Sequence, residues 1–252
     1  MSYPYLMSQI KKVLMTKQGK KFFAKDLSQD LHTQYGMVKS HDLKAKDGSV
    51  LKSNTGREFY IFEPQFIDLY KKIRRDAQII PLKDIGFIVA ETGINRASKV
   101  LDAGSGSGAL ACFLAGIAKE VITYEIREDF IEVVKANIKF LGLKNIKIKN
   151  IDIYNEIEDK DIDAIILDLP EPWKAIESCS GALKPGGFLV SYSPSIPQVA
   201  DFVNALKKNE NFVCLKTAEI TEREWEVEDR KVRPKTKGLG HSGFLSFARK
   251  VT

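Results

Sequence analysis

A buried strand that runs into a glycine-rich loop constrains the fold of this 252-residue chain more than any other feature. The segment VLDAGSGSGAL places Gly104, Gly106 and Gly108 between a run of apolar residues and a helical pattern. Glycines let the chain turn tightly and let a ligand approach the backbone beside a helix N-terminus. Such a loop occurs in dinucleotide-binding domains and in enzymes that use S-adenosylmethionine, so by itself it leaves both classes open.

The hydrophobic pattern divides the chain into parts. From about residue 80, continuous apolar strands alternate with amphipathic helices, which is typical of βαβ units and of a parallel sheet covered on both faces. Short apolar runs separated by KQG, KDG and NTG precede this part and predict β-hairpins, and strand patterns return after residue 211. We expect a small N-terminal β domain over residues 1–62, a connecting helix within 63–80 that covers 64–75, and an α/β domain over 81–252.

Carboxylates stand at the ends of the first three strands of the α/β part. Asp102 would repel a pyrophosphate but suits the ammonium group of a methionine moiety. Glu125, at the end of the second strand, can accept hydrogen bonds from both ribose hydroxyls. Asp152, at the end of the third strand, is placed to accept one from an adenine amino group. Because the loop also lacks the G-x-G-x-x-G spacing of dinucleotide-binding domains, these features favour S-adenosylmethionine; alternatively, Asp102 and Asp152 only cap helices.

The fourth strand, DAIILDL, ends at Asp168, and the loop after it reads LPEPW. In open α/β sheets the chemistry takes place outside the carboxyl ends of the strands, and the two prolines stiffen this loop. A carboxylate suits methylation of adenine N1, since it can orient the ring through the exocyclic amino group and stabilise positive charge that develops in the transition state. Such a base lies inside folded RNA and must be flipped out. Alternatively, Asp168 only caps the following helix.

Five segments together resemble the tRNA adenine-N1 methyltransferases: VLDAGSGSGAL, TYEIREDF, ILDLPEPW, LKPGGFLVSYSP and HSGFLSFARK. The resemblance covers residues 80–250 closely and the N-terminal β part more loosely. It implies a Rossmann-like class I methyltransferase fold, with a seven-stranded, mainly parallel sheet and a small N-terminal β domain that binds tRNA. It also implies methyl transfer from S-adenosylmethionine to a T-loop adenine, usually at tRNA position 58 and in some relatives also at 57.

The resemblance also implies roles for individual residues. The S-adenosylmethionine pocket is assigned to Gln78, Asp102, Gly104, Gly106, Ser107, Gly108, Glu125, Asp152 and Asp168. Asp168 looks like the catalytic carboxylate that holds the target adenine, and Tyr192 like an aromatic wall of the same pocket. Arg233 and His241 match a segment that faces tRNA or an interface. Alternatively, Tyr192 is a core residue and His241 a structural histidine.

The chain departs from the family pattern at one place. The family usually has an aromatic or imidazole residue between QII and Pro-Lys-Asp, whereas this chain reads Gln78-Ile79-Ile80-Pro81-Leu82-Lys83-Asp84. The side chain expected to stack on the flipped base is therefore absent. Either Tyr192 stacks on the base alone, or the choice of target differs from that of the typical member.

The net charge of +6 is concentrated in the first part of the chain. Residues 1–80 contain fifteen Lys and Arg against eight Asp and Glu, whereas the other residues contain 24 against 25. This balance suggests a near-neutral catalytic part with a basic arm for a polyanion; alternatively, the lysines only keep the surface solvated. Two basic runs are candidates for binding tRNA: Lys11, Lys12, Lys17, Lys20, Lys21 and Lys25, and Arg230, Lys231, Arg233, Lys235 and Lys237.

The composition limits the cellular location and the kinds of site that we expect for this protein. No apolar run approaches the ~20 residues that span a bilayer, and the three cysteines fit neither a disulfide framework nor a metal site. We therefore expect a cytoplasmic protein without a metal, and the resemblance implies a homotetramer or, in eukaryotic members, pairing with a non-catalytic relative. Two other functions are open: a methyltransferase of another acceptor class, and a non-enzymatic tRNA-binding subunit, although the latter should lack the cofactor carboxylates.

Overall fold

The computed structural model describes residues 10–155, 157–236, 238 and 240–252. The chain folds into two compact units, Met1–Ile73 with Ile138–Gly142, and Arg74–Asn137 with Leu143–Thr252. We call the first the β unit and the second the α/β unit. Within the described ranges, no helix is long and apolar enough to span a membrane.

The β unit is built from hairpins, as the turn signals predict. Its strands are β1 (Lys12–Met15), β2 (Lys21–Ala24), β3 (Leu31–Thr33), β4 (Gly36–Val38), β5 (Val50–Lys52) and β6 (Glu58–Phe62). Four of them form an antiparallel sheet in the order β2-β1-β6-β5, and β3 pairs with β4. Leu14, Phe59 and Ile61 are fully buried at the centre of its core.

The connecting helix is much shorter than predicted. Helix α1 covers only Phe66–Tyr70, not residues 64–75. Its end is set by a tighter hydrogen-bond pattern, because the amides of Lys72 and Ile73 donate to carbonyls three residues back rather than four. The apolar spacing that predicts a longer helix reflects burial of Ile73 in this turn.

The α/β unit contains a seven-stranded sheet. Its strands are β7 (Lys99–Ala103), β8 (Glu120–Tyr124), β9 (Ile146–Lys149), β10 (Ile162–Leu167), β11 (Leu183–Ser193), β12 (Phe212–Glu219) and β15 (Phe244–Lys250). They lie in the order β12-β15-β11-β10-β7-β8-β9. Strands β13 (Trp225–Glu228) and β14 (Lys231–Pro234) form a separate hairpin. The helices are α2 (Leu82–Thr92), α3 (Ala109–Ala115), α4 (Glu128–Leu141), α5 (Ile176–Ala182) and α6 (Ile196–Lys208).

The predicted sheet is confirmed: neighbouring strands from β9 to β11 are parallel, and β15 runs antiparallel to both of its neighbours. Alternate residues of the central strands enter two hydrophobic clusters. Leu101 and Ile165 belong to one cluster, and Val100 and Ile166 to the other. Because side chains alternate along a strand, the sheet is buried on both faces, and its ligand-binding edge lies where the parallel strands end.

Candidate active site

The glycine loop follows β7 and packs tightly against the end of β10. Gly104 has φ +85°, and a Cβ atom there would lie 2.1 Å from the backbone oxygen of Asp168. The Asp168 amide in turn donates to the carbonyl of Ala103 at 2.9 Å. Only glycine allows this approach, so Gly104 fixes the backbone of Asp168 next to the loop.

Glu125 lies just after β8 and organises the same loop. Its Oε2 accepts a hydrogen bond from the Gly106 amide at 2.9 Å, and its Oε1 accepts from the amides of Ile126 and Arg127 at 2.9 and 3.0 Å. The side chain is 7% exposed. A carboxylate has about four acceptor positions, so one remains for a ligand hydroxyl.

Asp102 lies within β7 and is almost completely buried. Its Oδ2 accepts a hydrogen bond from the Thr123 hydroxyl at 2.8 Å. Burial, with smaller contributions from the charges of Asp168 and Glu125, raises the pKa of Asp102 to about 7. The carboxylates of Asp102, Glu125 and Asp168 therefore lie close together, and their combined negative charge favours binding of a positively charged group.

Asp168 directly follows β10, as predicted. Burial raises the pKa of its carboxyl group to about 6. Among the residues that the structure describes, no donor hydrogen-bonds this carboxylate, in contrast to Asp102 and Glu125. A half-buried carboxylate without a protein donor is available for a ligand.

These residues line two neighbouring cavities, which we call the first and the second lobe. The first, of about 240 Å³, is lined by Ala77, Gln78, Ile79, Ile80, Asp102, Gly104, Ser105, Gly106, Ala109, Leu110, Glu125, Phe130 and Asp168. The second, of about 270 Å³, is lined by Gly104, Tyr124, Glu125, Ile126, Arg127, Ile151, Asp152, Ile153, Tyr154, Asp168, Leu169, Pro170 and Glu171. Both include Gly104, Glu125 and Asp168, so these three residues lie where the lobes meet.

Asp152 lies in the second lobe, although its strand ends earlier than predicted. Strand β9 stops at Lys149, and Asp152 belongs to the turn beyond it. Its Oδ1 accepts a hydrogen bond from the Tyr154 amide at 2.9 Å, a local turn bond of the kind that aspartate makes outside regular structure. Ile126 lines the same lobe with 64% of its surface exposed. Ile126 is not among the residues predicted from the sequence, although its position directly after Glu125 could have indicated an apolar wall.

Two of the predicted cofactor residues do not line either lobe. Ser107 is buried, and its hydroxyl accepts hydrogen bonds from the amides of Asp76 and Ala77 at 2.9 and 3.1 Å. It thus holds the segment that brings Gln78 to the first lobe. Gly108 has φ +72° and lies against Val134, so its lack of a side chain serves packing at the start of α3.

The predicted substrate-side residues also lie outside the two lobes. Tyr192 is 5% exposed in a hydrophobic cluster, and burial raises the pKa of its hydroxyl to about 12. Arg233 lies on the β13–β14 hairpin and pairs with Glu226. His241 lies between acceptors: its Nδ1 is 2.6 Å from Glu219 Oε1 and its Nε2 3.0 Å from the Pro194 carbonyl. These two bonds, that to Glu219 first, raise the pKa of His241.

A buried ion pair that is not among the predicted site residues lies at the start of α2. Lys83 Nζ is 2.8 and 2.9 Å from the two oxygens of Asp84, and the Ser242 hydroxyl donates to Asp84 at 2.8 Å. Asp84 is fully buried. The pair ties α2 to the segment before β15. Within the ranges described above, no group of three His, Cys, Asp or Glu side chains could hold a metal ion.

The sheet order, the loop after β7 and the acidic cavity at the strand ends define a Rossmann-like class I methyltransferase. Residues 68–239 match the family described as "tRNA methyltransferase complex GCD14 subunit". The chain therefore belongs to this family of tRNA methyltransferases, as the sequence resemblance predicts.

Individual proteins support this assignment. The chain is 37% identical to "tRNA (adenine(57)-N(1)/adenine(58)-N(1))-methyltransferase TrmI" of Methanocaldococcus jannaschii, over 94% of each chain. Its fold is similar to that of a "SAM-dependent O-methyltransferase" from Thermotoga maritima (TM-score 0.87, 29% identity, 98% of this chain and 95% of that one). It is also similar to "tRNA (m1A58) methyltransferase TrmI" from Aquifex aeolicus (TM-score 0.82, 26% identity, 97% and 98%).

Proposed function

We propose that this chain is a tRNA (adenine-N1)-methyltransferase. It transfers the methyl group of S-adenosylmethionine to N1 of a T-loop adenine, at tRNA position 58 or at positions 57 and 58. The observation that carries the proposal is the Asp168 carboxylate, which lies where the two lobes meet and accepts no hydrogen bond from a described donor. The Methanocaldococcus and Aquifex proteins, which are described as tRNA adenine-N1 methyltransferases, support the same reaction.

The two lobes fit the two ends of S-adenosylmethionine. Asp102 in the first lobe suits the ammonium group of the methionine moiety, and Asp152 in the second suits the adenine amino group. Glu125, which lines both, has acceptor capacity left for ribose hydroxyls. When bound, S-adenosylmethionine supplies an electrophilic methyl group on a positively charged sulfur. Together with Asp168, these carboxylates produce a negative potential that favours this cation.

Asp168 acts on the acceptor base. Its carboxylate accepts a hydrogen bond from the exocyclic amino group of a flipped adenine and holds N1 in line with the methyl group. Methylation makes the ring a cation, so the carboxylate stabilises charge that is absent from the ground state. With a pKa of about 6, Asp168 is ionised at neutral pH.

Tyr192, Arg233, His241 and the β unit are assigned to the substrate side of the protein. Tyr192 follows Ser191, which pairs with Leu167 directly before Asp168; we assign its ring to the wall behind the acceptor site. Arg233 and His241 are assigned to the surface that faces tRNA or a second subunit. The β unit is assigned to tRNA binding. Lys237, a member of the second basic run, lies outside the described residues.

We assign the protein to a homo-oligomer, a tetramer as the resemblance implies, that acts on tRNA in the cytoplasm. Cys112, Cys179 and Cys214 are all free thiols, which is usual in a reducing compartment. Size-exclusion chromatography with light scattering measures the oligomer directly.

The proposed reaction is tested by transfer of labelled methyl groups from S-adenosylmethionine to bulk tRNA, followed by mass mapping of the digested nucleosides. We expect N1-methyladenosine in a T-loop fragment, which also shows whether position 57, 58 or both are modified. Absence of label from tRNA would contradict the proposal. Failure to bind S-adenosylmethionine in a calorimetric titration would instead favour a non-enzymatic subunit.

One observation favours a second candidate, a methyltransferase that acts on oxygen. The Thermotoga protein, whose fold is similar, is described as a SAM-dependent O-methyltransferase. Within tRNA, the two reactions are distinguished by the same mass mapping, because a methyl group on the ribose is lost with the sugar on glycosidic cleavage, whereas a methyl group on N1 stays with the base.

The raised pKa of Asp102 predicts that cofactor binding is coupled to proton release. The ammonium group of the cofactor favours the ionised carboxylate, whereas the free protein keeps Asp102 largely protonated below its pKa of about 7. Affinity for S-adenosylmethionine should therefore increase with pH up to about 7. Calorimetry at pH 6 in buffers of different ionisation enthalpy should detect release of a proton, and the Asp102→Asn variant should bind weakly without this release. Binding to the wild type without proton release would contradict this role.

A further inference from the structure

Three turns of the β unit are tied together, although they are far apart in the sequence. They join β1 to β2, β3 to β4 and β5 to β6. The Thr55 hydroxyl donates to the Tyr35 carbonyl at 2.8 Å, and the Asn54 amide donates to the Met37 carbonyl at 2.9 Å. Met37 donates back to the Asn54 side chain at 2.8 Å. These bonds make the second and third turns one fixed surface.

The Tyr35 ring holds two cations at this surface. Lys20 Nζ lies 5.6 Å and the Arg57 guanidinium 4.9 Å from its centroid, within the range of cation–π attraction. Phe22 packs edge-on against the same ring, with centroids 5.9 Å apart, and Tyr35 packs against the core of the β unit. The first turn contributes Lys20 and the third contributes Arg57, so Tyr35 connects all three turns.

Both cations are positioned by neutral partners. Lys20 donates to the Gln34 side chain at 2.5 Å, and Arg57 donates to that of Gln18. No carboxylate in the described part of the chain pairs with either of them. Four other lysines of this unit are neutralised: Lys12 pairs with Asp47, Lys21 with Asp68, Lys39 with Asp30 and Lys52 with Glu58. A held but uncompensated positive charge is what an anion-binding surface requires.

We propose that Lys20 and Arg57, held on the Tyr35 ring, bind backbone phosphates of tRNA. Lys17 lies exposed in the same turn as Lys20 and adds to the positive potential. Each phosphate carries one negative charge and is the same whichever base it is attached to. Contacts at this surface therefore contribute to the affinity and the orientation of the tRNA, but not to the choice of the adenine that is methylated. The inference rests on the proposed function and names the part of the β unit that holds the substrate.

The test is the salt dependence of tRNA affinity, measured by filter binding or fluorescence anisotropy with the full chain. The double variant Lys20→Gln with Arg57→Gln should bind tRNA about tenfold more weakly for each cation removed. The slope of log affinity against log salt should become shallower by about 1 for each phosphate that is no longer neutralised. In methylation assays KM for tRNA should rise while kcat at saturating tRNA and S-adenosylmethionine affinity stay unchanged.

Two sets of control variants distinguish binding at this site from a general effect of positive charge on tRNA affinity. Lys39→Gln with Lys52→Gln removes the same charge from lysines that face carboxylates, and we expect almost no loss of affinity. Tyr35→Phe keeps the ring and should bind normally, whereas Tyr35→Leu keeps the charges but loses the ring, and should bind more weakly; circular dichroism checks that each variant is folded. Equal losses in the two double variants, or unchanged binding by Lys20→Gln with Arg57→Gln, would overturn the inference. Neither outcome would affect the proposed function, which fails only if the wild type does not methylate tRNA.

Discussion

Asparagine in place of Asp168 is expected to reduce kcat for tRNA methylation by about 10²–10³-fold. The amide oxygen of asparagine can still accept a hydrogen bond from the adenine amino group, so the variant removes the charge and keeps the shape. The lost interaction is with positive charge that develops only in the transition state, so S-adenosylmethionine affinity should change far less than kcat. Single-turnover rates and a calorimetric titration measure the two quantities separately.

The pH dependence of the single-turnover rate and a control variant test the role of Asp168 further. Because the pKa of Asp168 is raised to about 6, the single-turnover rate of the wild type should increase with pH up to about 6 and then level off. This limb should be absent in the Asp168→Asn variant. Asp201→Asn makes the same chemical change at an exposed position of α6 and should retain wild-type activity. An Asp168→Asn variant with normal kcat would remove Asp168 from the chemistry.

Alanine in place of Gly104 is expected to abolish S-adenosylmethionine binding and to destabilise the α/β unit. A Cβ atom at φ +85° would lie 2.1 Å from the Asp168 carbonyl oxygen, so either the loop or the end of β10 must move. The left-handed conformation alone costs about 1–2 kcal/mol for a residue with a side chain, and the collision adds to it. At about 2–4 °C per kcal/mol for a unit of this size, thermal denaturation should show a clear decrease in Tm.

Gly93 is the matched control position, because it has a similar left-handed conformation without a close neighbour. It ends α2 with φ +67°, and a Cβ atom there would meet no other atom within 4 Å. Gly93→Ala should therefore show only the conformational cost, with a smaller decrease in Tm and unchanged cofactor binding. If the two variants behaved alike, the close approach of the loop to Asp168 would not be what positions the cavity.

Three carboxylates of the predicted site lie together because they occupy equivalent positions in a repeating strand–helix pattern. Asp102, Glu125 and Asp168 lie in or directly after parallel strands, so the topology alone brings them to one edge of the sheet. Asp152 reaches the same cavity from a turn rather than a strand end, since β9 stops at Lys149. Strand ends are poorly marked by apolar runs, because the pattern continues into buried turn residues such as Ile153.

Interactions between distant segments are not predictable from the same pattern. Ser107 belongs to the glycine loop, yet its hydroxyl holds the segment before α2 instead of facing the cavity. Lys20, Tyr35 and Arg57 lie in three turns that are far apart in the sequence. The antiparallel register of β1 with β2 and β6 places the first and third turns side by side, and the hydrogen bonds of Asn54 and Thr55 join the second turn to the third. Charge counting indicates that the first part of the chain is basic, but does not show which lysines face carboxylates.

A crystal structure with S-adenosylmethionine bound tests the central claim most directly. We expect the cofactor ammonium group at Asp102, its ribose at Glu125 and its adenine at Asp152, with the free carboxylate of Asp168 facing the side of the sulfur that carries the methyl group. A structure in which that carboxylate turns away from the methyl group, or is hydrogen-bonded by the protein's own backbone, would contradict the account.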